Sequence, residues 1–151
     1  MGKAVTVALW ECARPPYPFV EIWCQELTAL GELAALRARL RASMTGSSTV
    51  DHPEREHWSE RLVLIADELT SNALRHGGAP IAAVLGRRDD AWLIAVRDSA
   101  VDVAPMPARG RDPGLGGFGL YLVADLSTAH GWYTERGTKT AWAVVDGSRS
   151  G

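Results

Sequence analysis

The run Asp67-Glu68-Leu69-Thr70-Ser71-Asn72-Ala73-Leu74-Arg75-His76-Gly77-Gly78 constrains the fold of this chain more than any other stretch. Trp58, Leu62, Ile65, Ala66, Leu69 and Ala73 recur at steps of three and four, the mark of one buried helix face. Glu68, Asn72 and His76 stand four apart between those apolar positions. On a helix this spacing stacks a carboxylate, an amide and an imidazole into one polar column. Gly77-Gly78 then ends the helix. Such a column is either a solvated face or a base beside an oxygen ligand for a hard cation such as Mg²⁺. The helix alone leaves both readings open.

A chain of 151 residues with 46% hydrophobic and 23% charged residues is expected to form a single domain spanning 1–151 with its own core. A net charge of −2 gives no electrostatic reason to bind nucleic acid or an acidic membrane. No apolar run approaches the roughly 20 residues of a membrane span, and the first residues lack a signal peptide's apolar core. Cys12 and Cys24 make neither a disulfide framework nor a zinc site and read as free thiols in a reducing cytoplasm.

In chain order, Val5 to Trp10 reads as a first strand and Phe19 to Cys24 as a short second one, separated by the breaker Pro15-Pro16-Tyr17-Pro18. Leu27 to Ala42 has helical periodicity, with Arg37, Arg39 and Arg41 read as its solvated basic end rather than as a partner surface. Met44 to Asp51 is a loop by composition, and Asp51 or Pro53 opens the helix of the polar column. Ile81 to Gly86 and Ala91 to Asp98 form a hairpin around Arg87-Arg88-Asp89-Asp90. Its second strand leaves an acid, Asp98, at the point where a strand meets a loop.

Ser99 to Pro113 has no periodicity and is long for a connection in so compact a domain, which suggests a lid over about 99–117. It runs into Gly114-Leu115-Gly116-Gly117-Phe118-Gly119-Leu120, glycines at the mouth of an apolar helix. Free backbone amides at the positive end of a helix favour phosphate. Gly131 to Arg136 and Thr138 to Val145 close the chain as a second hairpin. Hairpins outnumber crossovers, so the expected fold is α+β: a two-layer sandwich of a mixed, mostly antiparallel sheet with helices on one face. A Rossmann fold fails, because the glycines follow a long loop and not the first strand.

These motifs, in this order, resemble those of the histidine-kinase-like (GHKL, Bergerat-fold) ATPases, the superfamily that includes sensor-kinase catalytic domains. The length and the wording Asp67-Glu68-Leu69-Thr70-Ser71-Asn72-Ala73-Leu74-Arg75-His76-Gly77 look most like the bacterial anti-sigma-factor serine/threonine kinases. The resemblance runs from Leu27 to Val145. It implies ATP and Mg²⁺ as cofactors, Glu68 as the general base and Asn72 as the Mg²⁺ ligand. It puts Arg75 near the phosphates, with His76 closing the same box, and Asp98 against the adenine amino group. Gly117-Phe118-Gly119-Leu120-Tyr121-Leu122 matches the phosphate-cradling box, with Gly114 and Gly116 before it in the lid. Thr140, with Thr138 as the alternative, matches a threonine near adenine.

The resemblance further implies a cytoplasmic protein kinase acting on an anti-sigma-antagonist protein. Such a kinase would also hold a sigma factor, with no direct contact to nucleic acid or membrane, and it allows a homodimer. Two departures stand out. The loop Asp98-Ser99-Ala100-Val101-Asp102 lacks the family's usual two glycines, and Lys139 precedes Thr140 where a glycine is usual. The lost glycines stiffen the adenine loop. An ATP-gated binding module with little or no turnover is therefore the alternative to the kinase.

Overall fold

A computed structural model describes residues 11–46, 55–103 and 118–146, without the side chains of 46, 55, 56 and 118–121. The strands are β1 (Val20–Leu27), β2 (Ile81–Arg88), β3 (Ala91–Asp98), β4 (Ala129–Glu135) and β5 (Thr138–Asp146). The helices are α1 (Leu33–Gly46), α2 (Arg55–His76) and α3 (Phe118–Leu126), with a 3₁₀ turn at Leu30–Glu32. The expected strand at Val5 to Trp10 lies outside the described residues.

The sheet order is β1-β2-β3-β5-β4, and every one of these pairings is antiparallel. One isolated parallel bridge, Cys12 to Trp132, adds the mixed character the sequence suggested. α2 packs against α1, α3 and the middle strands β3 and β5. This is the expected α+β sandwich. Its helix-side core joins Leu36 and Leu40 of α1, Leu62, Ile65 and Leu69 of α2, and Leu85, Ile94, Val96, Ala143 and Val145 of the sheet. Burying a side chain of that size contributes about 1.5–3 kcal/mol before chain entropy is set against it.

Alternation along the strands sends the intervening residues to the other face. There Val84, Leu93, Ala95, Trp142 and Val144 meet Tyr17 and Phe19. The segment before β1 therefore covers sheet surface and does more than break a strand. Trp142 Nε1 donates to the Ala13 carbonyl at 2.8 Å, and Ala13 N–H donates to the Trp132 carbonyl at 2.8 Å.

Both boundaries of α1 differ from expectation. Leu27 belongs to β1, paired with Ile81 and almost fully buried, and α1 starts at Leu33. The Glu32 carboxylate accepts from the Thr28 and Ala29 amides at 2.6 and 2.8 Å, which turns the chain before the helix can begin. Those bonds hold Glu32 below the usual carboxylate range. At the far end α1 runs through Met44 to Gly46, because Met44 is buried in the core.

The three arginines of α1 are also not a free solvated end. Arg37 pairs with Asp67 of α2 at 2.6 Å, and Arg41 Nε reaches Glu60 at 3.0 Å. Arg39 lies over the Trp23 ring at 4.4 Å. They fasten α1 to α2 and to β1. Cys12 and Cys24 are exposed and unbridged. No described helix is long and apolar enough to cross a membrane.

Candidate functional site

α2 carries the polar column and ends at His76, as its sequence dictates. Glu68 and Asn72 are partly buried, while Arg75 and His76 are exposed in the last turn. The Glu68 carboxyl and the Asn72 amide make no hydrogen bond among the described residues. Burial raises the Glu68 pKa above the usual carboxylate range and neighbouring Asp67 adds to this, while Arg75 pulls it back. Desolvation thus gives Glu68 a stronger hold on a proton, as a general base requires. Arg75 lies within electrostatic reach of that carboxylate.

The end of α2 meets the end of β3. A Cβ added at Gly77 would stand 2.8 Å from the Asp98 Cγ and Oδ2 atoms and 2.7 Å from the Ala73 carbonyl oxygen. Only glycine lets the helix terminus approach so closely, for reasons of space and not of φ. Gly77→Ala is expected to lower stability by about 1–3 kcal/mol, the usual cost of overpacking, and to push Asp98 from its place. Urea denaturation measures the first effect, and loss of nucleotide binding reports the second.

Asp98 is 4% exposed. Its Oδ1 accepts the Ala100 amide at 2.7 Å, and its Oδ2 lies 3.6 Å from Lys139 Nζ. Ser99 N–H donates to the Gly78 carbonyl and Ser99 Oγ to the Ala79 carbonyl, both at 2.8 Å. Lys139 Nζ donates to the Val103 carbonyl at 2.6 Å. The first five residues of the expected lid are therefore tied down. Residues 104–117 of that lid, including Gly114, Gly116 and Gly117, lie outside the described residues.

Gly119 and Leu120 fall in the first turn of α3, which packs on α2. The fold thus sets the carboxylate ending β3 against the C-terminal end of α2, which carries the column, and packs α3 on α2 as well.

A family profile for the histidine kinase-like ATPase domain matches residues 27–143. The chain belongs to that family. No match to an individual curated protein was found. Histidine kinase-like ATPase domains bind ATP, usually with Mg²⁺, so this is an ATP-binding regulatory domain of that kind. Its polar column offers groups that could serve the metal and phosphate end of such a site. An amide oxygen with no hydrogen bond among the described residues, beside a partly desolvated carboxylate, is a hard-cation donor set completed by phosphates and water. Asn72 is the residue that would hold the metal.

Strand register decides which side chain of β5 neighbours Asp98 in this ATPase domain. β3 and β5 pair Asp98 with Lys139 and Arg97 with Thr140. Residues directly opposite share a face, so Lys139, and not Thr140, stands beside Asp98 on the helix side. Thr140 lines a cleft on the far face with Arg97, Tyr133 and Phe19. Thr138 shares that face by the two-residue period. Strand parity decides which side chains of β5 stand on the helix side, and the one directly opposite Asp98 is Lys139.

Proposed function

We propose that this ATPase domain binds Mg·ATP between α2, the end of β3 and the start of α3. It then transfers the γ-phosphoryl group to a serine or threonine hydroxyl of an anti-sigma-antagonist protein, and it holds a sigma factor as its regulatory target. The observation that supports this reading is a partly desolvated Glu68 one turn along α2 from Asn72, whose amide makes no hydrogen bond among the described residues. Glu68 takes the hydroxyl proton as the oxygen forms its bond to phosphorus and ADP leaves. Mg²⁺ supplies charge neutralisation on the phosphates when bound. Asn72 holds it, and Arg75 stands close enough to Glu68 to add positive charge beside the reacting groups.

Calorimetric titration with ATP, with and without Mg²⁺, tests the metal end. Binding is expected to depend on Mg²⁺ in the parent and to lose that dependence in Asn72→Ala. A variant whose Mg²⁺ dependence matches the parent's removes Asn72 as the ligand. Incubation with labelled ATP and candidate antagonist proteins tests the transfer.

A second reading is favoured by the occupied state of Asp98. In it the domain is an ATP-gated binding module whose affinity for a sigma factor or antagonist changes with nucleotide and which turns over little. Nucleotide-dependent partner binding without labelling of the partner over hours selects it.

A further inference from the structure

Asp98 carries a cation of its own. Lys139 is 6% exposed, a rare degree of burial for lysine, and Lys3 is the only other lysine in the chain. Its Nζ stands 3.6 Å from Asp98 Oδ2 and donates to the Val103 carbonyl at 2.6 Å. Oδ1 is already taken by the Ala100 amide, and Gly77 closes on Oδ2 from the helix side. The lysine therefore ties together the carboxylate at the end of β3 and the last described residue of the loop that follows.

We propose that Lys139 is an affinity-determining residue that competes with the nucleotide base for Asp98 Oδ2. This rests on the reading of Asp98 as the group that meets the base. An exocyclic amino group is a neutral donor, whereas the ammonium is a charged one. At 3.6 Å the ammonium is an ion-pair partner of Oδ2, and away from water that Coulombic attraction outweighs the pull of a neutral donor. In a site this dry, the base reaches Oδ2 only in those molecules whose ammonium has swung away. Apparent affinity then falls by the fraction of molecules in that state. Because the same ammonium holds the Val103 carbonyl, its departure also removes that tie on the loop after β3. Base entry and loss of the tie become one event. The phosphates, gripped elsewhere, do not depend on it.

The test compares the full chain with its Lys139→Thr variant, titrated with Mg·ATP and with Mg·tripolyphosphate, which lacks a base. The variant is expected to bind Mg·ATP about tenfold or more tighter, with tripolyphosphate affinity unchanged. A second measurement needs no variant. With lysine ζ-¹⁵N labelled, saturating Mg·ATP is expected to shift the Lys139 ammonium resonance and leave that of Lys3 in place.

Parent-like or weaker ATP binding by the variant overturns the proposal, as does an equal gain for tripolyphosphate. So does an undisturbed Lys139 resonance while ATP is bound. In each of these cases nucleotide binding itself survives, and with it the assignment of the site. If neither protein binds ATP at millimolar concentration, the site assignment falls and this inference with it.

Discussion

Asp98→Ala is expected to cost about 3–5 kcal/mol of folding stability, the usual loss when one partner of a buried ion pair is removed. The side chains of Asp98 and Lys139 are 5% and 7% exposed, so the ammonium left behind has little water to turn to. The variant also loses the acceptor for the Ala100 amide, which fixes the turn after β3. Pairing it with Lys139→Met is expected to recover a large part of the loss, because an apolar pair of similar volume carries no uncompensated charge. Urea denaturation of the two single variants and the double variant closes this cycle. Additive losses would show that the 3.6 Å contact couples nothing. The same variant should bind nucleotide poorly even where it folds, since no acceptor remains for the base.

The second large effect belongs to Glu68. Glu68→Gln is expected to lower phosphoryl transfer about 10²–10⁴-fold, the range for loss of a general base, while Mg·ATP binding stays near that of the parent. It should also stabilise the fold at neutral and higher pH. Burial, then the Asp67 charge, raise the folded-state pKa of Glu68 above its unfolded value. The folded state therefore holds the proton more tightly. As pH rises from the ordinary carboxylate range through the raised folded pKa, stability is lost. Glutamine never ionises and escapes that loss. Melting curves at about pH 8 should place the variant above the parent, with the gap closing near about pH 4, where both side chains are neutral. A variant that transfers phosphate as well as the parent removes Glu68 as the base. One whose melting temperature tracks the parent at both pH values removes the burial argument.

These two residues differ in how they could be known. The position of Glu68, though not its role, was legible from spacing alone. Its place between Leu62, Ile65, Leu69 and Ala73 fixes it beside a buried stripe whatever the helix packs on, and α2 buries that stripe. The strand at Ala91 to Asp98 and the helix stop at Gly77 were legible for the same reason, since alternation, periodicity and glycine termination are local properties. The membership of the family followed from the order of such motifs. Less legible were features that depend on two distant segments meeting. The late start of α1 depends on Leu27 finding Ile81 across the sheet. The basic run of α1 looked solvated until Asp67, Glu60 and Trp23 came to face it. The breaker before β1 proved to be a cover for the far sheet face, because Tyr17 and Phe19 meet side chains more than sixty residues away.

By itself, then, the order of residues determined the polar column, where its helix ends, the two hairpins, and which carboxylate sits at the mouth of β3. The tertiary structure alone decided what that carboxylate touches. A strand's side chains alternate between two faces, so a shift of one residue in register exchanges the pocket side for the far side. The register of β5 against β3 set Lys139 beside Asp98 and sent Thr140 away. Register is settled by the whole sheet packing on α2, and no stretch of sequence carries that information on its own.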